Sequence, residues 1–354
     1  MEERPPIRVL VVDDSFLMRT LLRRLLEEDS DIKVVGVAKD GLEAIGKSKE
    51  LEPDVITMDF MMPEMDGIDA TRHISENSPT PPKIVVVSAY SQNRDELIAR
   101  WMNSKAVGFI AKPSDHVSVD LDVIKDDLIR EVRAAAQSRS LTVGFQEGNK
   151  KKKMPISAKK IDKIFVIGAS TGGPKLIHEI ISTLPEYFNY TVLVVQHMPE
   201  GFTNGFAKRL NEYSYLPVTE VREGDLLEPG HIYVAPGAMN MGIEPWEDAG
   251  KTLLRFHLNR EPNEHHVFPS IDHTMTTVAK IFGEMTHGLL LSGMGKDGVK
   301  GLAEIKKYGG VTLAQEPETC VVDSMPNTAI VEGYVDKIVT PEKIHRYLEK
   351  IAKK

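Results

Sequence analysis

A serine set among small residues stands where an apolar run gives way to a helical pattern. Ile164-Phe165-Val166-Ile167 is short and β-branched, and it ends in Gly168-Ala169-Ser170-Thr171-Gly172-Gly173-Pro174. A G-x-S-x-G turn between strand and helix lifts the serine hydroxyl to the C-terminal edge of a sheet. Pro174 suits the first helical turn, where its missing N–H would have no partner. Leu176, Ile177, Ile180, Ile181 and Leu184 follow at helical spacing. The same turn also reads as a phosphate cradle or a packing joint, so the hydroxyl needs a base before it counts as a nucleophile. His197 follows the apolar run 191–195, and Asp297 follows the run 288–291. An imidazole of ordinary pKa, ~6.5, suits the removal of a serine proton near neutrality. A carboxylate behind it orients the ring and stabilises its charged form. The chain order is Ser, His, Asp, whereas α/β-hydrolases run Ser, Asp, His.

A second set lies in the first half. Asp13 and Asp14 follow the β-branched run 7–12, Asp59 follows 55–58, Ser88 follows 84–87, and Lys112 lies just beyond 107–110. In a doubly wound sheet such strand ends converge on one crevice. Three carboxylates there repel one another and need a cation, and hard oxygen ligands with open positions suit Mg²⁺. A lysine and a hydroxyl nearby can hold the oxygens of a phosphoryl group carried by a carboxylate. The plain alternative is a set of solvated loop acids.

Other residues compete for attention. His265, His266 and His273 with Asp272 form a local cluster able to bind metal, but without a zinc-ligand spacing it reads as a loop near the active site. His178 and His345 fall within helical patterns and read as structural. Gly293-x-Gly295-x-x-Gly298 matches a dinucleotide fingerprint after a strand, yet that reading leaves Ser170 and His197 without a task. Cys320 is the sole cysteine, which excludes an internal disulfide and fits a reducing cytoplasm. Nothing local activates its thiol.

These residues need two scaffolds. At 354 residues the chain has room for about two domains. In residues 1–133, strands at 7–12, 34–38, 55–58, 84–87 and 107–110 alternate with helical patterns, the first capped by Ser15 and the last running through Leu121, Ile124, Leu128 and Val132. That alternation means βαβ units on a parallel sheet. Residues 134–160 change character, with Gly144, Gly148, Lys150-Lys151-Lys152-Lys153 and Pro155, and read as a solvated, mobile connector. Residues 161–354 hold further strands at 191–195, 218–221, 232–235, 288–291 and 311–314, a hairpin pairing 253–258 with 239–243, and a closing helix at 344–351. This is a second doubly wound, mainly parallel α/β sheet. A net charge of −8 argues against a general nucleic-acid binder. No apolar stretch is long enough to cross a bilayer, and the N-terminal apolar run is broken at Asp13.

The first half resembles the flavodoxin-like (βα)5 receiver domain of bacterial and archaeal response regulators. The carriers are Val11-Val12-Asp13-Asp14-Ser15, Pro53-Asp54-Val55, Met58-Asp59, Met62-Pro63-Glu64-Met65-Asp66-Gly67, Ser88-Ala89 and Ala111-Lys112-Pro113. The resemblance implies that Asp59 accepts a phosphoryl group from a histidine kinase. It implies that Asp13, Asp14, Asp59 and the Met61 carbonyl surround Mg²⁺, that Ser88 and Lys112 contact the phosphoryl oxygens, and that Phe109 is a switch aromatic. It also implies a cis Lys112–Pro113 peptide.

The second half resembles the catalytic domain of the chemotaxis protein-glutamate methylesterases. The carriers are the Ser170 turn, Val195-Gln196-His197-Met198-Pro199, Gly230-His231-Ile232-Tyr233-Val234-Ala235-Pro236-Gly237, Pro269-Ser270-Ile271-Asp272 and Ser292-Gly293-Met294-Gly295-Lys296-Asp297-Gly298. The resemblance implies a triad of Ser170, His197 and Asp297, with the Met294 N–H stabilising the oxyanion and Thr171 nearby. One position departs from the family, which usually carries a basic residue where this chain has Phe268. Detailed substrate contacts are the part this affects.

The expectation is a cytoplasmic, phosphorylation-activated serine hydrolase. It removes methyl groups from receptor glutamates and, by the resemblance, deamidates receptor glutamines. The resemblance implies chemotaxis receptors as substrate, a histidine kinase as phosphodonor, and an unphosphorylated receiver that blocks the Ser170 crevice. Mg²⁺ is expected at the receiver site and no cofactor for the esterase. Two alternatives remain at this stage: a response regulator whose second half only binds a partner, and a nicotinamide-dependent oxidoreductase.

Overall fold

The computed structural model describes residues 5–88, 94–112, 121–139, 149–153, 160, 161, 163–248 and 250–352. The chain divides into two compact units, Met1–Ser138 and Arg139–Lys354.

The first unit alternates β1 (Ile7–Val12), α1 (Phe16–Glu27), β2 (Ile32–Ala38), α2 (Gly41–Leu51), β3 (Val55–Asp59), α3 (Gly67–Glu76), β4 (Lys83–Ser88), α4 (Arg94–Met102), β5 (Gly108–Ala111) and α5 (Leu121–Gln137). The sheet order is β2-β1-β3-β4-β5, and every pairing is parallel. Helices cover both faces of such a sheet, so its strands are buried on both sides and read as unbroken apolar runs. Val9, Leu10, Val11, Val55, Ile56 and Val85 are fully buried. Ser15 caps α1 as expected, its Oγ accepting from Met18 N–H at 3.3 Å. Helix α5 continues to Gln137, beyond the expected boundary at 133, because Leu128, Val132 and Ala135 keep its apolar face in the core.

The second unit contains β6 (Ile164–Ala169), α6 (Gly173–Thr183), β7 (Thr191–Gln196), α7 (Phe202–Tyr213), β8 (Val218–Glu220), β9 (Ile232–Val234), β10 (Asn240–Asp248), β11 (Lys251–Asn259), α8 (Ile271–Phe282), β12 (Thr286–Leu290), α9 (Val299–Lys307), β13 (Val311–Gln315), α10 (Ser324–Val331), β14 (Lys337–Val339) and α11 (Pro341–Ala352). Seven strands form one sheet in the order β14-β13-β12-β6-β7-β9-β8, all pairings parallel. The expected hairpin is present as antiparallel β10 and β11, with Asn240 opposite Asn259. Strand order reverses between β6 and β12, both of which pair centrally. That switch point opens a crevice outside the strands' C-terminal ends.

Within the lysine tract, largely exposed as a solvated connector would be, two lysines are engaged. Lys153 Nζ donates to the carbonyls of Asn211, Ser214 and Leu216, just where α7 ends. Lys151 N–H donates to Glu212 O at 2.9 Å, and its ammonium lies 4.0 Å from the Tyr215 ring centre. Cations at a helix C-terminus meet its unpaired carbonyls and the negative end of its dipole. Arg139 is also engaged within this unit, with Val321 O, Pro317 O and Asp323.

Candidate active site

In the first unit the strand ends gather the expected acids. Asp13 and Asp59 are buried and Asp14 is exposed. One carboxylate oxygen from each lies within 4.8 Å of the others. Lys112 Nζ reaches both Asp13, at 2.7 Å, and Asp59, at 2.6 Å. Burial pushes the Asp59 carboxyl up to about 6, and the charges of Asp13 and Asp14 push the same way against the opposing pull of Lys112. Three acids balanced by one lysine leave a net negative oxygen-lined site, which fits a hard divalent cation. Gly67 is required beside it, since a Cβ there would lie 1.8 Å from the Asp59 carbonyl oxygen. Ser88 is buried at the end of β4, and its carbonyl accepts from Lys112 N–H at 2.7 Å. Phe109 is buried edge-on to Trp101, with ring centres 5.6 Å apart. The Met61 side chain is exposed. The expected cis peptide involves Pro113, which lies outside the described residues.

In the second unit Ser170 directly follows β6 at the switch point and is buried. His197 follows the adjacent β7, and its N–H donates to Ala169 O at 3.0 Å. Its Nε2 lies 2.8 Å from Asp297 Oδ2. A neutral ring donating through Nε2 leaves Nδ1 as the basic nitrogen for a serine proton. No hydrogen bond joins Ser170 Oγ to His197 among the described residues; such contacts are often open without substrate. The turn after Ser170 has its expected form. Gly172 takes φ 83° and Pro174 falls in the first turn of α6.

Asp297 is held firmly. Its Oδ2 also accepts from Ile271 N–H at 2.7 Å, and its Oδ1 accepts from Asp272 N–H at 3.0 Å and Ser270 Oγ at 3.2 Å. Burial alone would raise its pKa; the hydrogen bond and charge of His197 and the two peptide N–H groups outweigh that and lower it. The N-terminus of α8 thus supplies the positive end of its dipole to this carboxylate.

The loop after β12 supplies backbone donors. Ser292 N–H bonds to Gln315 Oε1, Gly293 N–H to Val322 O, and Gly295 N–H to Ser324 Oγ. The Met294 N–H has no acceptor among the described residues, which leaves it for a ligand oxygen. The glycine pattern that suggested a dinucleotide has another cause here. A Cβ at Gly293 would lie 2.7 Å from Ser170 Cβ, so glycine permits close approach. Thr171 is buried, and its carbonyl accepts from Ser292 Oγ at 2.8 Å.

The structure brings together Ser170, His197, Asp297, Met294 and Thr171 at one sheet edge. His265 and Asp272 join the rear of that group, 3.1 Å apart, and His266 is exposed. His178 is buried within α6 and His345 lies in α11. Cys320 is buried, and burial pushes its thiol up to about 12. Sequence reasoning gave no task to Gln196, whose Nε2 donates to the carbonyls of both Ser170 and His197 at 3.0 Å. A polar residue closing an otherwise apolar strand was its only signal. It also passed over α8, although Ser270 followed by Ile271, Met275, Val278 and Phe282 is a capped helical pattern.

Each unit is a doubly wound α/β sheet with its polar side chains gathered outside the strand ends. Comparison with known proteins gives both units a family. Residues 165–348 match the CheB methylesterase model, and residues 9–121 match the response regulator receiver domain. The chain belongs to the CheB methylesterase family of hydrolases, with a response-regulator receiver domain preceding the catalytic domain. It is 40% identical over 339 residues to the protein-glutamate methylesterase/protein-glutamine glutaminase of Thermotoga maritima, covering 96% of each chain. A Pyrococcus abyssi protein of the same name is 40% identical over 345 residues, covering 96% of this chain and 91% of that one. The crystal structure of the Thermotoga maritima CheB methylesterase catalytic domain aligns with a TM-score of 0.50 at 41% identity, covering 53% of this chain and 98% of that one. No helix among the described residues is long and apolar enough to cross a membrane.

Proposed function

We propose that this chain is a phosphorylation-activated protein-glutamate methylesterase acting on methylated chemotaxis receptors in the cytoplasm, and that it also deamidates receptor glutamines. The observation that carries the reading is the 2.8 Å His197–Asp297 hydrogen bond beside Ser170 at the switch point. Ser170 Oγ attacks the ester carbonyl carbon while His197 Nδ1 takes its proton. The carbonyl oxygen becomes an oxyanion that accepts from Met294 N–H, with Thr171 nearby. One such donor is typically worth about 3 kcal/mol. The intermediate collapses, the C–O bond to the methoxy group breaks, and His197 returns the proton to release methanol. Water then gives a proton to His197 and attacks the acyl-enzyme, freeing the glutamate carboxylate and regenerating Ser170. For a glutamine the same steps expel ammonia.

In the receiver, Asp59 is the acceptor of a phosphoryl group from a histidine kinase. Asp13, Asp14, Asp59 and the Met61 carbonyl are the groups that would hold Mg²⁺; when bound it supplies positive charge against the carboxylates and the phosphoryl oxygens. Lys112, already paired with Asp59, and Ser88 are the contacts for those oxygens, and Phe109 is the switch aromatic.

The test is methanol release from methylated chemoreceptor membranes, with and without a small-molecule phosphodonor and Mg²⁺. Wild type is expected to release methanol faster with phosphodonor, and Ser170→Ala to release none. Release by Ser170→Ala at the wild-type rate would overturn the nucleophile assignment. Absence of release in every condition, with Asp59 phosphorylated, would leave the receiver and remove the esterase reading for this substrate.

A further inference from the structure

Two carboxylates in the second unit cap each other's helices. Asp297 takes the Ile271 and Asp272 N–H groups that open α8. Asp272 in turn takes the N–H groups of Gly298, at 2.8 Å, and Gly301, at 2.6 Å, which open α9. Helix α9 needs this, because its N-cap is Gly298, which has no side chain to offer. The Gly298 N–H belongs to the peptide unit whose carbonyl is that of Asp297, so Asp272 grips the backbone of Asp297 directly. The other oxygen of Asp272 lies 3.1 Å from His265 Nε2. Small residues make the clasp fit. A Cβ at Gly298 would lie 2.9 Å from Ile271 Cγ2, and one at Gly301 would lie 2.6 Å from Met275 Cβ.

We propose that Asp272, backed by His265, is a positioning residue of the esterase, holding Asp297 within hydrogen-bond reach of His197. The proposal rests on reading Ser170, His197 and Asp297 as the catalytic group. Asp272 needs no substrate contact for this task. Without it the start of α9 loses its acceptor, the Asp297 peptide is free to shift, and a buried helix end is left unsatisfied. The oxygens of the His265, Asp272 and Asp297 cluster are taken up by N–H and O–H donors, so the cluster is accounted for without a metal.

Asp272 lies beside Asp297, and burial together with the Asp297 charge raises its carboxyl to about 6. The charged and titratable groups around the pair are His197, His265, Glu264, His273, Lys296 and Lys300.

The experiment is methanol release from methylated receptor membranes by full-length Asp272→Ala, Asp272→Asn and Ser170→Ala, with rates referred to the folded fraction in each sample. Asp272→Ala is expected to lower kcat about ten- to a hundredfold, the scale of a small misplacement of a reacting group. KM should stay unchanged, because Asp272 needs no substrate contact. Asp272→Asn keeps an acceptor oxygen for Gly298 and Gly301, so it should recover most of kcat. A wild-type kcat in Asp272→Ala would overturn the proposal, as would a raised KM with kcat unchanged, or an Asp272→Asn as slow as Asp272→Ala. Full activity of Ser170→Ala would instead overturn the catalytic group on which the proposal rests.

Discussion

Replacing Asp59 by asparagine should make the receiver unit more stable, by an amount that depends on pH. The Asp59 carboxyl is raised from 3.8 to about 6, chiefly by burial and further by Asp13 and Asp14, against the pull of Lys112. A folded-state value above the unfolded one means that the folded unit binds the proton more tightly. The stability contribution of this group is therefore greatest below 3.8 and is lost as pH rises through about 6. The gap is about two pH units, and at about 1.4 kcal/mol per unit the ionised carboxyl costs the folded receiver about 3 kcal/mol. Asparagine carries no charge at any pH and nearly the same volume. Lys112 keeps a partner in Asp13 at 2.7 Å, so the substitution does not strand a buried ammonium.

The assay is urea unfolding of the full-length chain followed by tryptophan fluorescence. Trp101 is buried against Phe109 in the receiver, and Trp246 lies in the β10–β11 hairpin of the other unit. Both proteins therefore carry Trp246→Phe, which leaves Trp101 as the reporter. Above about pH 7 Asp59→Asn should exceed Asp59 by about 3 kcal/mol, and the difference should shrink toward zero near pH 4. Added Mg²⁺ should stabilise the aspartate form selectively and narrow the gap. Equal stability above pH 7, or a gap that widens as pH falls, would refute the balance of burial and charge on which this rests.

Further outcomes follow from contacts in the second unit. Gly293→Ala places a methyl 2.7 Å from Ser170 Cβ and 2.2 Å from Met325 Sδ. Met325 is flexible, but Ser170 is tied by its N–H to Ser292 O at 3.0 Å, so the serine is displaced. The expected result is a kcat about a hundredfold lower with a stability loss of about 1–3 kcal/mol; an unchanged kcat would show that the serine tolerates a neighbour there. Lys153→Met removes the donor shared by three carbonyls at the end of α7. Trypsin should then cut at Lys150 and Lys151 faster than in wild type, with stability lowered by about 1 kcal/mol, whereas Lys152→Met, at an exposed position, should leave that stability unchanged. Equal stability in the two variants would return the tract to a solvated connector.

Much of this was legible because parallel strands buried on both faces must be apolar throughout. A polar residue directly after such a run therefore marks the functional edge of the sheet. That logic finds Asp13, Asp59, Ser88 and Ser170 without knowledge of the strand order, and Asp297 a short loop beyond its run. It cannot find what depends on two distant segments meeting. The clasp between residues 270–272 and 297–301 joins positions far apart in sequence, and each half alone looks like an ordinary helix start. Gln196 carries the signal of a polar residue closing an apolar strand but not its task, since its partners are backbone carbonyls on the neighbouring strand end and the following residue. The engagement of Lys153 is not legible in the tract, because a block of like charge is normally solvated and the carbonyls that accept from it are grouped only where α7 ends.

Asp59 and Asp297 show how one residue type at one kind of position is turned to opposite uses. Both are buried at the C-terminal side of a parallel strand, Asp59 as the last residue of β3 and Asp297 in the loop that follows β12. Asp59 meets a single ammonium at 2.6 Å and faces two further acids, so its pKa rises. Asp297 meets an imidazole, two peptide N–H groups and a hydroxyl, so its pKa falls despite deeper burial. A carboxylate left short of donors keeps an oxygen in search of positive charge, which suits a group that is to be modified. A carboxylate saturated with donors stays ionised and immobile, which suits a group whose work is to hold a histidine. Exchanging the surroundings would spoil both tasks: donors like those around Asp297 would lower the basicity and reach of Asp59, and loss of the Ser270, Ile271 and Asp272 donors would let Asp297 take up a proton and release His197. The chemistry of each half therefore lies less in its aspartate than in the number of donors the fold supplies to it.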